Sequence, residues 1–332
     1  MPIPLSILDL APIAPGATAS ESIQASVSLA QHAEKHGYKR VWYAEHHNMP
    51  TIASSAPAVL IAHVAANTST IRLGAGGVML PNHVPLLVAE QFGTLEAMYP
   101  DRIDLGLGRA AGSDPQTMRA LRRPHTSADT FPEDVRELQA FLSESSPIPG
   151  VRAIPGNGSH VPLYILGSSM YGAHLAAALG LPYAFASHFS PQLLPQAVAT
   201  YRDEFQPSAQ LDRPYVIAGI NVIGAEDAAA AEVIIQENRR TLARGVAAKG
   251  NPSITNADLD RLLERGAIAQ LDNMFSYTAA GNASDIAAYL TRFQDLANAD
   301  ELITVHQAPT LEQRLLSVAL TSEWAEHARA SA

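Results

Sequence analysis

Three adjacent ionisable side chains, Glu45, His46 and His47, follow a short apolar run of the sequence. Histidine changes its charge near neutral pH, so it can act as a general acid or base or donate a hydrogen bond to a bound ring. A metal pair on one helix face needs histidines four positions apart, and these two are neighbours. The pattern favours proton transfer by His46 and predicts no metal site. The alternative is a pair of buried histidines satisfied by backbone groups.

A glycine-rich run comes next in the chain, with Gly74, Gly76 and Gly77 ahead of His83. Adjacent glycines inside a predicted strand indicate unusual backbone geometry or the close approach of a ligand, and the alternative is a β-bulge. A dinucleotide-binding fingerprint is excluded, because its third glycine would fall at position 79, which is methionine.

Two later segments indicate a phosphate site. Arg109 follows a predicted strand and offers a forked hydrogen-bond donor, while Gly167-Ser168-Ser169 leads from another strand into a helix. Hydroxyl and free N–H groups at a helix amino terminus bind anions, so the two segments together could hold one phosphate. Two alternatives stay open. The arginine could pair with Asp101, Asp104 or Asp114, and a serine could only cap the helix.

Eight apolar runs alternate with longer amphipathic stretches along the chain. We predict strands at residues 5–10, 40–44, 71–79, 103–108, 163–166, 183–186, 216–223 and 302–306. We predict helices at residues 21–36, 56–67, 85–98, 131–142, 173–179, 191–205, 225–247 and 283–296. This alternation requires a parallel sheet with crossover helices, and eight repeats favour an α/β fold of the closed (β/α)8 TIM-barrel type over an open sheet.

Two connections are longer than a simple crossover requires, over residues 108–163 and 224–302, and we predict insertions after the fourth and seventh strands. Both emerge at the carboxyl-terminal face, where this fold carries its active sites. Residues 249–280 have weak periodicity and predict a mobile lid, with a solvent-facing helical insert as the alternative. Because no linker marks a second domain, we expect one domain over residues 1–332.

The composition limits both the chemistry and the partners. The 332 residues include no cysteine, which excludes disulfides, thiolate metal ligands and cysteine nucleophiles. The net charge is −10, and only Arg119, Arg122 and Arg123 lie close together as a basic cluster, so we expect no nucleic-acid partner. The first positive charge is Lys35 and the apolar stretches are short, so we expect no secretory signal and no membrane partner and predict a cytoplasmic protein.

These clusters, in this order, resemble the bacterial luciferase-like flavin monooxygenase family. The likeness runs from Leu5 to His306 and is most specific in four motifs, which are Glu45-His46-His47, Gly74 to Pro81 followed by His83, Gly106-Leu107-Gly108-Arg109, and Gly167-Ser168-Ser169. The resemblance implies a TIM barrel that uses FMN as its cofactor.

The resemblance also implies roles for the matching residues. His46 matches the histidine that luciferase needs for aldehyde oxidation, and Gly76-Gly77 matches a non-prolyl cis peptide under the flavin ring. Arg109 matches the arginine that binds the FMN phosphate. Ser168, with Gly167 and Ser169 beside it, matches a phosphate-binding serine.

Several positions depart from luciferase itself. Tyr171 falls in the phosphate loop where luciferase has threonine, and Gly108 stands in place of a reactive cysteine. Gly167 replaces an acidic residue, and Ser187 replaces a tryptophan that contacts the flavin. We therefore do not expect light emission. The Ala186-Ser187-His188-Phe189 segment looks more like the broad group of luciferase-like oxidoreductases.

The resemblance implies a two-component monooxygenase that acts on a small organic substrate. Reduced FMN from a separate flavin reductase reacts with O₂ to a C4a-hydroperoxyflavin, which transfers one oxygen atom, and His46 serves as the acid or base. Two alternatives keep the barrel: an F420-dependent hydride-transfer enzyme and a non-catalytic flavin-binding protein. An NAD-dependent dehydrogenase is excluded, because residues 11–16 lack the glycine pattern. The resemblance further implies a homodimer formed through helices near the second and third strands.

Overall fold

The structure is a computed structural model of the 332-residue chain, and it describes residues 3–109, 114–247, 254–264 and 273–330. In these ranges nine strands form one sheet, and every pairing in it is parallel. The strands are β1 Leu5–Asp9, β2 Arg40–Tyr43, β3 Arg72–Met79, β4 Ile103–Gly108, β5 Leu163–Gly167, β6 Tyr183–Phe185, β7 Val216–Gly224, β8 Thr278–Gly281 and β9 Glu301–His306.

Helices connect the strands and cover the outside of the sheet. Within the described ranges they are α1 Ala19–Lys35, α2 Pro57–Ala65, α3 Pro85–Met98, α4 Pro115–Ala120, α5 Phe131–Leu142, α6 Met170–Leu179, α7 Leu194–Glu204, α8 Ala228–Ala247, α9 Asn256–Glu264, α10 Ala283–Ala297 and α11 Leu311–Ala330. None of the described helices is long and apolar enough to span a membrane. The cytoplasmic location stays a prediction.

The sheet closes into the predicted barrel. Its order is β6-β5-β4-β3-β2-β1-β9-β7, and β6 pairs with β7 to complete the ring. The ninth strand, β8, pairs with Asn221–Gly224 at the end of β7, beyond the three residues that β6 covers. The eight predicted strands are therefore the barrel strands, and β8 is an addition that the sequence analysis missed.

Both predicted insertions are present. The segment after β4 carries α4 and α5, and the segment after β7 carries α8, α9, β8 and α10. Of the predicted lid at residues 249–280, residues 249–253 and 265–272 lie outside the described residues. The described part contains α9, which packs against α8 through Ala243, Ile254 and Leu259. The described part is thus helical, and the lid and the solvent-facing insert that was its alternative both stay predictions.

Apolar side chains fill the middle of the barrel. This inner cluster contains Leu8, Trp42, Ala44, Tyr164, Ala184, Ile217, Ile303 and Val305. A larger cluster lies between the outer faces of the strands and the helices. Because the interior is packed, a ligand can enter the barrel only at its ends.

Paired charges close the amino-terminal end of the barrel, and we call Arg40, Asp104 and Glu301 the floor. Arg40 is 2% exposed; its Nη1 lies 2.7 Å from Oδ2 of Asp104 and its Nε lies 2.9 Å from Oε1 of Glu301. Burial by itself raises the pKa of Glu301, but Arg40, Lys39 and hydrogen bonds hold it below its ordinary value. The floor is thus a buried ion cluster in which each charge faces an opposite charge.

Candidate active site

A cavity of about 730 Å³ opens at the carboxyl-terminal end of the barrel strands, and we call it the mouth. Most of its surface is apolar, including Leu8, Trp42, Leu166 and Phe185. The structure brings all of the sequence-predicted site residues to this one cavity, namely His46, Gly76, Gly77, Arg109, Gly167, Ser168, Ser169 and Tyr171. These residues follow four different strands, β2, β3, β4 and β5. They lie together because the carboxyl ends of parallel strands are at the same face of the barrel.

Glu45 organises the loop after β2. Its carboxylate is fully buried, and Oε1 accepts hydrogen bonds from Nε2 of His47 and Nε2 of His83, each at 2.7 Å. The other oxygen accepts the backbone N–H of Met79 at 2.9 Å. The two histidines and the carboxylate place ligand atoms within 4.8 Å of one another, a donor set of metal-binding type. In this arrangement their hydrogen bonds join the β2 loop to the end of β3.

His46 differs from these two histidines because its ring has no hydrogen bond to a described residue. Its backbone N–H donates to the carbonyl of Ser54 at 3.0 Å, which fixes the main chain. Its Nδ1 is buried without a hydrogen-bond partner among the described residues. Burial lowers the pKa of His46, and the charge of Glu45 opposes that shift only in part. The ring is therefore neutral at neutral pH and available to a ligand, in contrast to the alternative of a backbone-satisfied histidine.

The peptide bond between Gly76 and Gly77 is cis, as the resemblance implies. The register of β3 against β4 also shifts between Ala75 and Val78, so the bulge considered as the alternative lies at the same place. A Cβ on Gly77 would lie 2.6 Å from the carbonyl oxygen of Gly106. Close packing therefore requires glycine here, and bare backbone forms this part of the cavity wall.

Arg109 meets Tyr171 at the rim of the mouth. The guanidinium carbon lies 4.1 Å from the centre of the Tyr171 ring, and Nε donates to the carbonyl of Ala128 at 3.3 Å. In the described ranges Arg109 makes no ion pair: Asp104 belongs to the floor, and Asp114 caps α4. Two of the three proposed aspartate partners are thus engaged elsewhere, none of the three pairs with Arg109 in these ranges, and the charge of Arg109 remains available at the cavity.

The amino terminus of α6 lies beside this pair. Ser169 occupies the N-cap position, but its side chain makes no capping hydrogen bond with any described residue. The hydroxyl of Tyr183 donates to the Ser169 carbonyl at 3.1 Å and holds the loop in place. Serine hydroxyls, helix N–H groups and Arg109 therefore line one part of the mouth, where they could hold an anion. We call Arg109, Gly167–Ser169 and Tyr171 the anion end of the mouth.

Sequence analysis did not assign His188, which also lines the mouth. Burial lowers its pKa to about 4, so the ring is neutral at neutral pH. Its Nδ1 is buried and lacks a hydrogen-bond partner within the described part of the chain. The signal that could have found it is its position three residues after the end of β6, since polar residues at strand ends were the criterion for the other candidates.

His306, at the end of β9, lines the mouth but is engaged on both sides. The Thr304 hydroxyl donates to the Ser6 carbonyl, so it accepts from Nε2–H of His306 at 2.9 Å. Nδ1 of His306 in turn accepts from the Ser317 hydroxyl at 2.8 Å. Burial lowers the pKa of His306 to about 3. This histidine supports the wall and offers no free ring nitrogen.

Comparison with known proteins identifies the class to which this barrel and mouth belong. Residues 3–298 match the model of the family described as luciferase-like monooxygenase. The chain belongs to this family, and it is a monooxygenase. A protein of Escherichia coli strain K12 named luciferase-like monooxygenase is 46% identical over 326 residues, which cover 97% of this chain and 96% of that protein.

Other relatives show the range of the family. The N-acetyl-S-alkylcysteine monooxygenase of Bacillus subtilis is 42% identical over 189 residues, which cover 55% of this chain and 57% of that enzyme. The crystal structure of apo-MsnO8 superposes with a TM-score of 0.84 at 34% identity and covers 98% of this chain and 99% of its own.

Two solved structures share the fold at low identity. The oxygenating constituent of 3,6-diketocamphane monooxygenase from Pseudomonas putida, in complex with FMN, has a TM-score of 0.72 at 14% identity and covers 97% of both chains. An F420-dependent secondary alcohol dehydrogenase has a TM-score of 0.65 at 15% identity and covers 96% of this chain and 98% of its own. The same barrel therefore carries two different cofactors.

Proposed function

We propose that the chain is the oxygenating component of a two-component, FMN-dependent monooxygenase. A separate flavin reductase would supply reduced FMN, and a small organic substrate would receive one atom of O₂ while the other leaves as water. The proposal combines membership of the luciferase-like monooxygenase family with one observation on the site. A cation and a helix terminus without a side-chain cap among the described residues lie at one end of a cavity whose remaining wall is largely apolar.

The anion end fits the phosphate of FMN. Arg109 can donate two parallel hydrogen bonds to phosphate oxygens, while Tyr171 covers the face of its guanidinium. The first N–H groups of α6 and the hydroxyls of Ser168 and Ser169 add neutral donors. Fixing the phosphate there directs the rest of the cofactor into the apolar part of the mouth.

The glycines fit a flat ring system. Gly76 and Gly77 offer backbone without side chains along the cavity. At Gly108 an added Cβ would meet nothing closer than the Val78 carbonyl at 3.8 Å, so that wall is open. When bound, reduced FMN supplies the reaction with O₂, and the protein positions it and keeps water away from it.

His46 is suited to proton transfer at this site. A neutral imidazole with a free nitrogen can take a proton from a reacting group or return one, whereas a hydrogen-bonded imidazole must first break its contact. Its fixed backbone and its place in the mouth support the assignment. His47 and His83 are instead engaged by Glu45.

The test is an anaerobic titration with reduced FMN followed by mixing with air in a stopped-flow instrument. We expect saturable binding of reduced FMN and then a long-lived absorbance band of C4a-hydroperoxyflavin. Riboflavin, which lacks the phosphate, should bind more weakly. Absence of reduced-FMN binding contradicts the proposal.

The second candidate is an F420-dependent oxidoreductase, favoured by the likeness of the fold to an F420-dependent alcohol dehydrogenase. Anaerobic hydride transfer with F420 and no stable oxygen adduct with FMN would support it. The two candidates therefore give opposite results under anaerobic conditions with F420.

We also propose that the protein forms a homodimer through α2 and α3. Val59 on α2 is 72% exposed, and Val84 and Leu87 at the start of α3 are 44% and 54% exposed. Apolar side chains on two contacting helices are typical of a surface that another subunit covers. Light scattering that gives the mass of one 35.3 kDa chain at micromolar concentration contradicts the dimer.

A further inference from the structure

Glu45 is a buried carboxylate whose ion-pair partners among the described residues are histidines alone, namely His47 and His83. An imidazole carries a positive charge only when it is protonated, so neither ring guarantees a counter-charge at neutral pH. The buried carboxylates of the floor, by contrast, face the permanent charge of Arg40. Buried charges in proteins are paired or coordinate metal ions. The surroundings of Glu45 therefore suit a bound cation.

The two histidines approach the same oxygen of Glu45 from different parts of the chain. Nε2 of His47, on the loop after β2, and Nε2 of His83, which follows β3, each lie 2.7 Å from Oε1. The three atoms lie within 4.8 Å of one another. The sequence expectation of no metal site rested on the spacing of His46 and His47. The fold instead brings in His83, which is 38 positions from Glu45 in the sequence.

The other contacts of Glu45 hold its carboxylate in the orientation that a ligand needs. Oε2 accepts the backbone N–H of Met79 at 2.9 Å, so Oε1 faces the two rings. The backbone N–H of His46 donates to the carbonyl of Ser54, which fixes the main chain between Glu45 and His47. Metal sites typically orient their ligating carboxylates through such outer hydrogen bonds. Glu45 can therefore contribute one well-placed ligand atom.

The donor set indicates which metal would bind. Two imidazole nitrogens and one carboxylate oxygen are typical of zinc sites that keep a fourth position for water, whereas Ca²⁺ and Mg²⁺ prefer oxygen ligands. Ligand atoms in a tetrahedral zinc site are about 3.3 Å apart, so each Nε2–Oε1 distance must widen by about 0.6 Å. The side chains of His47 and His83 are 17% and 32% exposed, so solvent reaches the site and the rings can make this small movement.

We propose that Glu45, His47 and His83 form a Zn²⁺ site beside the mouth, with Oε1 and the two Nε2 atoms as protein ligands and water as the fourth ligand. Binding replaces two N–H···O hydrogen bonds with three metal–ligand bonds, and the displaced ring protons move to Nδ1 or to solvent. The ion joins the loop that carries His46 to the segment after β3, and no group is oxidised or reduced. The inference needs no flavin, so it is independent of the proposed function.

The test is a calorimetric titration of the untagged, EDTA-treated full chain with Zn²⁺. We expect saturation at about one ion per chain, and Mg²⁺ should give no saturable heat. Co²⁺ reports the geometry of the site, because four-coordinate Co²⁺ absorbs strongly in visible light and six-coordinate Co²⁺ absorbs weakly. We expect strong bands that Zn²⁺ removes. The melting temperature should rise with the concentration of Zn²⁺, because the ion binds the folded chain.

Two glutamine variants separate metal binding from the hydrogen bonds. In His47→Gln and His83→Gln the side-chain amide can still donate to Glu45, but its nitrogen has no lone pair for a metal ion. We expect each variant to weaken Zn²⁺ binding by about 100-fold or more, since loss of an outer partner alone costs about 10- to 100-fold. The control is His36→Leu, which removes one ring of the pair His32–His36, whose ring centroids are 4.4 Å apart. Its affinity for Zn²⁺ should stay within about twofold of the wild type.

A loss of less than about tenfold in His83→Gln overturns the inference, because the ion then binds elsewhere. Absence of saturable Zn²⁺ binding to the wild type overturns it too, and so do the weak Co²⁺ bands of a six-coordinate ion. If the glutamine variants fail to fold, anomalous scattering from a zinc-soaked crystal of the wild type replaces them. A zinc peak about 2.0–2.2 Å from the three ligand atoms supports the site, and any other result overturns it. Failure to bind FMN counts against the proposed function alone.

Discussion

The two ends of the barrel treat buried polar groups in opposite ways. At the floor, Arg40 lies between Asp104 and Glu301, so that each buried charge has an opposite charge within hydrogen-bond distance. At the mouth, His46 and His188 keep a buried ring nitrogen without a partner among the described residues. The comparison shows that the described part of the fold pairs its buried charges at the floor and leaves buried ring nitrogens unpaired at the mouth.

Side-chain size explains why one end of the barrel is packed while the other end has a cavity. Large side chains, Arg40, Trp42 and Tyr164, fill the lower part of the barrel. In the upper part, Gly76, Gly77, Gly108 and Gly167 line the cavity with backbone, and at Gly108 an added Cβ would meet nothing closer than 3.8 Å. The cavity therefore forms where the barrel has few side chains, above a layer in which side chains fill the interior.

Substitution of His46 should affect the mouth and leave the floor intact. We expect His46→Ala to lower the rate of product formation about 10²–10⁴-fold, the usual contribution of a general acid or base. The affinity for reduced FMN should stay within about threefold. Because no described side-chain hydrogen bond is lost, the free energy of unfolding should change by less than about 1 kcal/mol. Unchanged turnover contradicts the role of His46, and His174→Ala, on the exposed side of α6, is the control.

Substitution of Arg40 should do the reverse. Arg40→Leu leaves Asp104 and Glu301 buried without their main partner, and we expect a loss of about 3–5 kcal/mol in the free energy of unfolding, measured by urea denaturation. FMN affinity of the folded fraction should be unchanged. Arg136→Leu removes an exposed arginine from a 3.7 Å pair with Glu133 and should stay within about 0.5 kcal/mol. Equal losses of unfolding free energy in Arg40→Leu and Arg136→Leu would contradict the stabilising role of the buried ion cluster.

Arg109 extends the comparison between the floor and the mouth. Its charge is exposed, so it should contribute to ligand binding and not to the stability of the fold. We expect Arg109→Ala to weaken FMN binding about 10- to 100-fold, the contribution of a charge-assisted hydrogen bond, and to leave riboflavin binding within about twofold. Flavin fluorescence titration measures both. The control is Arg119→Ala on α4. An equal loss for both flavins would show that Arg109 does not contact the phosphate.

Acid should destabilise the mouth before the floor. Unfolded His306 takes up a proton near pH 6.5, whereas the folded protein binds it only near pH 3. Between these values the unfolded state holds more protons, so the free energy of unfolding falls as the pH falls and is fully restored above 6.5. We expect the wild type to lose about 1–2 kcal/mol more than His306→Gln between pH 7 and pH 5. Parallel curves for the two proteins contradict this.

The floor should respond in a lower pH window. The pKa of Glu301 lies below its ordinary value of 4.5, so its contribution is complete above pH 4.5 and is lost only as the pH falls through the folded value. Urea denaturation between pH 4.5 and pH 3 measures this second loss.

The barrel could be predicted because each barrel strand is a separate apolar run of the sequence. The strand β8, with the sequence Thr-Ala-Ala-Gly, could not, since its four residues carry no large apolar side chain and no alternation. The helix α6 begins at Met170, three residues before the predicted start, because Tyr171 and Gly172 read as loop residues. The helix α11 was not predicted, because its apolar residues show only a weak helical periodicity.

The site was predicted where chemistry-bearing residues cluster in sequence, as at Glu45-His46-His47. What the sequence does not reveal is which nitrogen is engaged, because His83 and His306 find their partners only in the folded chain. Asn221 was missed for the same reason, since its hydrogen bonds reach residues 33, 53 and 86 positions away. His188 was within reach of the strand-end criterion.

Trp42 gives the molecule a built-in optical reporter. The chain has two tryptophans; Trp42 forms part of the cavity wall, whereas Trp324 lies on α11 with its Nε1 donating to Thr291. With the proposed FMN in the mouth, excitation energy of the Trp42 indole would pass to the flavin beside it. A loss of ultraviolet fluorescence would then report the filling of the barrel in real time, without any attached dye.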